Sequence, residues 1–439
     1  MAQQIPASLL RKIHQRTARI GVIGLGYVGL PLAVEFAKKG YRTTGIDIAV
    51  NRVQALNKGR SYVPDVPSKE IIPLVRKGLL KATTDYQALR HMDGVMVCVP
   101  TPLRKTKEPD ISYIVATAEA TAKYLHRYQV IILESTTYPG TTNELILPML
   151  EKTGLKVGKD FFLGFSPERI DPSNQVYTTT TIPKVVGGIT PACLGVIQLL
   201  YGQVIQKVIP VSSTRVAEMV KLLENTFRSV NIGLVNELAL MCHQMEVNVW
   251  EVIEAAKTKP FGFMAFYPGP GLGGHCIPID PLYLSWKAKL YGFDTRFIEL
   301  AAQINGSMPD HVVGRVAEAL NSKSKALKGS RILVLGVAYK RDVGDTRESP
   351  AVDIIEQLEK KGAKVSYHDP FVPHFKEEAL SLRSVPLTPS RISDSDCVLI
   401  VTDHGTVDYR LVVKHAKLVV DTRNALRHER PRSRKIVPL

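Results

Sequence analysis

The chain has 439 residues, 45% of them hydrophobic, which is material for roughly two to four domains. No run approaches the roughly 20 apolar residues of a membrane helix, the polar and basic start from Met1 to Ala18 does not pattern as an export signal, and the five cysteines (Cys98, Cys193, Cys242, Cys276, Cys397) lack C-x-x-C spacing. A disulfide framework, a zinc site and membrane insertion are therefore not expected, and reduced thiols in a cytoplasm are. The net charge of +16 raises nucleic-acid binding, but the basic residues are spread along the chain without an aromatic-rich reader motif, and a positive field steers dinucleotides equally well.

Residues 19–24 (Arg-Ile-Gly-Val-Ile-Gly) pattern as a buried strand. The turn from Gly24 to Gly29 feeds a helix over Leu30–Lys39, and Tyr41–Ile46 forms the next strand, so a βαβ unit opens the fold. Further strands are expected at Gly94–Val99, Val130–Glu134 and Phe161–Phe165. Residues 213–245 carry helix formers with no proline, about 50 Å of helix at 1.5 Å per residue. Its expected apolar interior is Val216, Met219, Val220, Leu223, Phe227, Val230, Leu234 and Leu238. A shorter helix spans Val249–Ala256, then comes a glycine-rich loop, then more helix to about Leu320. Asn321–Ser330 is polar and patterns as a linker. A second α/β block follows: strand Arg331–Gly336, helix Pro350–Lys361, strand Lys364–His368, and later strands at Cys397–Val401 and Leu418–Asp421. The two blocks are not a strict repeat, because the second has Gly336-Val-Ala-Tyr-Lys340 where the first has a full G-x-G-x-x-G. The basic tail after Arg427 is expected to be mobile.

Two motifs carry most of the chemistry. In Gly24-Leu-Gly26-Tyr27-Val28-Gly29, the first glycine permits the tight turn, the second lets a pyrophosphate reach the backbone, and the third allows close helix–strand packing. The motif follows a strand, opens a helix, and has Asp47 at the end of the next strand, where it accepts hydrogen bonds from ribose hydroxyls. Its charge favours NAD over NADP, although Arg52 could greet a 2′-phosphate. The decapeptide Gly271-Leu-Gly273-Gly-His-Cys276-Ile-Pro-Ile-Asp280 places a thiol behind glycines, with an acid four residues on. A cysteine is more often a small core hydrophobe, but this one has no apolar bed and could attack a carbonyl as thiolate. His275 is either a base or structural. Lys221 and Asn225, four apart on one helix face, either stabilise a developing oxyanion or form a solvated stripe. Glu168 is a candidate acid, base or water restraint. Thr136 and Thr101 lie at other strand ends, where α/β folds bind ligands.

Together these motifs resemble the UDP-glucose/GDP-mannose dehydrogenase family over about residues 19 to 425: Gly24–Pro31, Val99-Pro-Thr-Pro102, Ser135-Thr136, Ser166-Pro-Glu168, Lys221-Leu-Leu-Glu-Asn225, Gly273-Gly-His-Cys276 and Lys340 to Pro350. The stretch Pro260–Lys287 is similar to the branch acting on UDP-N-acetylglucosamine. The resemblance implies an α/β chain of two Rossmann-like doubly wound domains joined by a long central helix and a helical middle domain. Its parts are an extension (1–18), an NAD-binding domain (19–205), a central dimerisation domain with the cysteine loop (206–320), and a UDP-binding domain with a basic tail (321–439). It implies a four-electron oxidation with NAD as cofactor, in which Cys276 traps the aldehyde at C6 as a thiohemiacetal and then a thioester. Lys221 and Asn225 hold the C6 oxygen, Asp280 with Thr136 places the water or acts as base, and Glu168 assists hydrolysis.

The cofactor set implied is Gly24, Gly26, Tyr27, Val28, Gly29, Asp47, Arg52, Thr101, Thr136 and Arg347. The substrate set is Glu168, Arg169, Lys221, Asn225, Tyr267, Gly271, Gly273, Lys340 and Arg423, with Arg423 serving the diphosphate. No metal is implied. The expected partners are a UDP-N-acetylhexosamine substrate and a second copy of the chain, or a higher homo-oligomer, in surface polysaccharide biosynthesis. One departure bears on the substrate. UDP-glucose members carry an arginine ahead of the glycine loop, and here the stretch reads Lys257-Thr-Lys-Pro260. An N-acetylated sugar is thus favoured; the similarity over Pro260–Lys287 makes UDP-N-acetylglucosamine the expected one, with UDP-N-acetylmannosamine, UDP-N-acetylgalactosamine and UDP-glucose as alternatives. A simpler two-electron hydroxy-acid dehydrogenase, and a polyanion-binding protein with a dead NAD fold, are the rivals.

Overall fold

Strands with both faces apolar organise the chain, which a computed structural model describes over residues 5–104, 108–170, 177–274, 276–377, 380–429 and 433–439. It divides into two units: Met1–Glu224 with Trp286–Gly292, and Asn225–Ser285 with Phe293–Leu439. Among the described residues no helix is long and apolar enough to cross a membrane.

The first unit is built on strands β1 (Arg19–Ile23), β2 (Arg42–Ile46), β3 (Leu80–Thr83), β4 (Gly94–Val97), β5 (Val130–Leu133), β6 (Phe162–Phe165), β7 (Lys184–Gly188) and β8 (Val208–Pro210). They form one sheet in the order β3-β2-β1-β4-β5-β6-β7-β8, parallel throughout except for β6 against β7. Alternate side chains serve opposite cores, as the strand period of two requires. Val22, Met96 and Ile132 pack on one face with Phe36 and Ile197 of helices Gly29–Lys38 and Pro191–Gly202; Ile23, Val97 and Leu133 pack on the other with Ile114 of helix Ser112–Tyr124. Burial on both faces explains why these strands are continuous apolar runs. The first six strands have the dinucleotide-binding order 3-2-1-4-5-6. The extension before residue 19 contains a helix, Ala7–His14, whose Leu9 and Ile13 join the first core.

The second unit carries β9 (Arg331–Leu335), β10 (Lys364–His368), β11 (His374–Glu377), β12 (Leu380–Arg383), β13 (Cys397–Ile400), β14 (Val419–Asp421) and β15 (Ile436–Pro438). Five of them form a parallel sheet in the order β10-β9-β13-β14-β15, and β11 and β12 make a separate antiparallel pair. Counted among the parallel strands alone the order is 2-1-3-4-5, the other common doubly wound arrangement. The expectation of a mobile tail is corrected for its last residues. Ile436–Pro438 pairs with β14, and Ile436 is buried among Leu333, Val398 and Val419.

The two sheets match more closely than their glycine patterns indicate. Gly24 and Gly336 both take positive φ, +87° and +80°, and a Cβ on either would sit 2.4 or 2.5 Å from a backbone oxygen, of Cys98 and Thr402 respectively. Each first strand begins with the same reciprocal clamp: the Arg19 N–H donates to Asp93 and the Arg331 N–H to Asp396, both at 2.8 Å. Each second strand ends in a buried aspartate that accepts from the turn after the first strand. Asp47 takes the N–H of Leu25 at 2.8 Å; Asp369 takes those of Val337 and Ala338 at 2.8 and 3.1 Å. Asp369 also accepts from Phe371 and Val372, and from buried His404 at 3.0 Å.

Helix Thr214–Gln244 runs 31 residues, about 46 Å. Its expected apolar interior needs correction. Val216, Met219, Leu223, Phe227 and Leu234 are exposed, while Ala217, Leu222, Val235, Ala239 and Cys242 are buried. The helix has two apolar stripes, and among the described residues only one is buried.

Burial pushes the Asp369 carboxyl up, but the bond from His404 and the backbone donors outweigh it and hold it below the usual range. A depressed folded value means its stabilisation is present above the unfolded value near 4 and is lost as pH falls through the lower folded one. Asp369→Ala should lower the melting temperature at neutral pH, by the equivalent of about 3 kcal/mol for several orphaned donors. Calorimetry against the parent should show the deficit shrinking as pH falls below about 4; a deficit that does not change with pH would contradict this account.

Candidate active site

The cofactor loop forms because β1 must turn sharply under a helix. Gly29 lies against that turn, where a Cβ would sit 1.8 Å from the Gly24 oxygen, so helix Gly29–Lys38 can start there only with glycine. A Cβ on Gly26, by contrast, would meet nothing within 4 Å. No protein atom among the described residues demands glycine at that position, which leaves open room beside the turn. Tyr27 is exposed, and Val28 is the residue before the helix, whose first-turn N–H groups have no intrahelical acceptor. Asp47 is buried, and its second oxygen accepts from the Ala49 N–H at 2.8 Å. Arg52 approaches Asp47 at 3.5 Å and lies 5.9 Å from the centre of the Tyr62 ring. An open pocket of about 340 Å³ is lined by Gly26, Tyr27, Asn51, Arg52, Ala55, Tyr62 and Val63. Open room at Gly26, a helix start and an acidic strand end fit a dinucleotide.

At the carboxyl ends of β4, β5 and β6, Thr101 is buried, Thr136 is half-buried, and Ser135 donates to the Val99 carbonyl at 2.8 Å. Glu168 follows β6 and is tightly engaged. One oxygen accepts from the Arg169 and Ile170 N–H groups at 2.7 and 2.9 Å, and the other lies 3.3 Å from the Lys184 ammonium. Arg169 is itself held, by Glu224 at 2.5 Å and the Pro183 carbonyl at 2.7 Å. Burial works against the charged form of Glu168, but Lys184 and the two N–H donors hold its carboxyl below the usual range. Lys184 also pairs with Glu134 at 2.7 Å, and Glu134 accepts from the Tyr201 hydroxyl. Sequence reasoning missed Glu134 and Lys184. The available signal was a charge opening an apolar strand, Lys184-Val-Val-Gly-Gly188.

Lys221 is buried on the long helix, one turn before Asn225. In the second unit, Asn225 donates to the buried Asp280 carboxylate at 2.5 Å. The Asp280 N–H donates to the Cys276 carbonyl at 2.8 Å, so thiol and acid share the turn that starts helix Asp280–Lys289. Cys276 is exposed, whereas Cys193, Cys242 and Cys397 are buried. His275 lies outside the described residues.

The glycines here serve the protein's own packing. A Cβ on Gly273 would sit 2.6 Å from that of Tyr339 and 2.9 Å from the Glu348 oxygen, and one on Gly271 would sit 3.1 Å from Pro350. The Gly274 N–H donates to the Arg347 carbonyl at 3.0 Å. Segment 339–350, which includes Lys340, is thus the bed of the cysteine loop. The Arg347 guanidinium pairs with Asp345 at 2.6 Å. Arg423 lies against the same loop: a Cβ on Gly269 would sit 2.7 Å from its Nη1, and its Nε donates to the Val401 carbonyl at 2.8 Å. Burial pulls the guanidinium down from its ordinary range, and the nearby Asp403 and Asp421 oppose this. Tyr267 stands in a surface cluster with Trp250, Glu254 and Lys257, donating to Glu254 at 2.7 Å.

Three family models match in order. They are the UDP-glucose/GDP-mannose dehydrogenase family's NAD binding domain over residues 18–205, its central domain over 215–307 and its UDP binding domain over 333–428. The chain is 39% identical over 357 residues to UDP-N-acetyl-D-glucosamine 6-dehydrogenase of Pseudomonas aeruginosa, covering 81% of this chain and 83% of that one. It is 36% identical over 418 residues to UDP-N-acetyl-D-mannosamine dehydrogenase of Pyrococcus horikoshii, covering 93% and 96%. The solved structure of the UDP-D-ManNAc dehydrogenase from Pyrococcus horikoshii matches with a TM-score of 0.87 at 34% identity, over 96% of this chain and 98% of that one.

Asp47→Asn should weaken NADH binding by about tenfold, the equivalent of one charge-assisted hydrogen bond. Fluorescence titration measures it, and an unchanged dissociation constant would remove Asp47 from the cofactor set.

Proposed function

The chain belongs to the UDP-glucose/GDP-mannose dehydrogenase family and is an NAD-dependent oxidoreductase, and on that premise we propose that it oxidises C6 of UDP-N-acetylglucosamine to the carboxylate through a covalent intermediate on Cys276. The observation that carries this is the turn in which exposed Cys276 is tied to buried Asp280, itself held by Asn225. Two molecules of NAD⁺ accept the two hydrides.

The chain's own residues do the rest. Lys221 and Asn225 donate to the C6 oxygen and stabilise its negative charge as it develops. The Cys276 thiolate adds to the aldehyde carbon, which keeps that reactive carbon from escaping before the second oxidation. Water then attacks the thioester, the C–S bond breaks with its electron pair on sulfur, and the uronate leaves. Asp280 and Thr136 place that water, and Glu168 assists as an ionised acceptor. Arg423 and Lys340 take the diphosphate side of the substrate, where positive charge beside glycine backbone suits an anion. An N-acetylated sugar is supported by the names of the relatives and by Lys257-Thr-Lys-Pro260, which lacks the arginine of UDP-glucose members. The product would feed surface polysaccharide assembly.

The protein works as a homodimer in this proposal, with the exposed stripe Val216, Met219, Leu223, Phe227 and Leu234 as the seam. A stripe at helical spacing that stays exposed among the described residues is what a helix–helix interface needs.

Three measurements test these statements. Incubation with NAD⁺ and each of UDP-glucose, UDP-N-acetylglucosamine, UDP-N-acetylmannosamine and UDP-N-acetylgalactosamine should give two NADH per sugar, fastest with UDP-N-acetylglucosamine. A best rate with the manno epimer would reassign the sugar. Cys276→Ala should form no uronate, and a full two-NADH yield from that variant would defeat the covalent mechanism. Light scattering on Leu223→Glu with Phe227→Glu should show a monomer where the parent is a dimer; an unaltered mass would move the seam elsewhere.

A further inference from the structure

Lys184 is a buried cation at the first position of an otherwise apolar strand, at 4% exposure. Taking an ammonium out of water costs several kcal/mol unless partners compensate, and simple packing of β7 would be served better by an aliphatic side chain. Its partners are two carboxylates from different strand ends: Glu134 after β5 at 2.7 Å and Glu168 after β6 at 3.3 Å. The face of Tyr201 lies 5.2 Å away, and its hydroxyl donates to the Glu134 oxygen that Lys184 does not take. Glu134 is therefore saturated and fully buried. Glu168 is partly accessible, and among the described residues the oxygen not taken by the Arg169 and Ile170 N–H groups is paired with Lys184.

We propose that Lys184 is a positioning residue for thioester hydrolysis, fixing the Glu168 carboxylate in place, with Glu134 and Tyr201 anchoring the lysine. It rests on the role given above to Glu168. In that step the water oxygen bonds to the thioester carbon, Glu168 accepts the water proton and passes it to solvent, and sulfur leaves as thiolate. No electron changes hands. The oxidations precede this step and do not use Glu168, so loss of Lys184 separates them from it. Without the ammonium, burial of Glu168 is no longer offset by a counterion, and its carboxyl moves up toward the working pH.

The test compares the parent with E168Q, K184R and the double variant E134Q/K184M, which removes the amine without leaving two buried carboxylates beside each other. Stopped-flow NADH formation and intact mass of the quenched enzyme are read. In E134Q/K184M the first two NADH per site should form at about the parental rate. Steady-state turnover should fall by about tenfold or more, an acyl adduct should build up on Cys276, and the acid limb of turnover should move to higher pH. E168Q should also accumulate the adduct, and K184R should recover most of the turnover. If E168Q accumulates adduct and the lysine variant does not, the assignment of Lys184 is overturned and that of Glu168 stands. If neither accumulates it, the Glu168 role fails and takes this proposal with it. If early NADH and turnover fall together in the lysine variant, Lys184 is structural only and the proposal is wrong.

Discussion

A sharp turn after a buried parallel strand leaves backbone N–H groups pointing at nothing, and each half of this protein answers with an aspartate from the neighbouring strand end. Asp47 takes Leu25 and Ala49; Asp369 takes Val337, Ala338, Phe371 and Val372. Buried backbone donors must be paired, so these carboxylates set where the turns lie and with them the mouths of both sheets. The halves then diverge in spare capacity. Next to the first turn Gly26 has open space, whereas the second has Ala338, whose carbonyl is taken by the Thr402 hydroxyl, and an aspartate further occupied by His404. A common scaffold thus yields one turn with room for a pyrophosphate and one that is filled by its own chain.

The same economy governs the cysteine loop. Its glycines were expected to admit a ligand, and each does have a steric reason, but the obstruction comes from Tyr339, Glu348 and Pro350. The loop is pressed onto the first connection of the second sheet and pinned there by the Arg347 carbonyl. Farther back, buried Asn236 accepts from the Gly269 N–H and donates to Asn305, which in turn donates to the Ser229 carbonyl. Rigid support of this kind keeps a thiol exposed in a loop while fixing its direction. Arg347 illustrates how a residue placed by motif can serve twice, through its backbone as a support and through its guanidinium in a pair with Asp345.

Periodicity located the long helix to within a residue at each end but misjudged its faces. Val216, Met219, Leu223, Phe227 and Leu234 recur at helical spacing, which reports that a stripe needs cover and says nothing about whose atoms provide it. The basic tail misled for a related reason. Charge flanking Ile436–Pro438 concealed three residues that complete a sheet edge. Of the first sheet's unforeseen strands, β8 has only three residues, and β7 opens on a lysine and closes on two glycines, which leaves Val185-Val186 as its whole apolar run.

What the amino-acid order determined by itself was local: apolar runs long enough to be buried strands, glycines where φ must be positive at Gly24, an acid one strand later at Asp47, and a cysteine four residues from an acid in Gly271–Asp280. Each depends on neighbours in the chain, and neighbours are legible. Tertiary structure alone decided which charges meet. Glu134, Glu168, Lys184 and Tyr201 come from three strand ends and a helix, with up to 67 residues between bonded partners, and Asn225 reaches Asp280 across 55. Burial makes such pairings obligatory, because an isolated buried charge is too costly to keep, but only the crossing of strands dictates the partner.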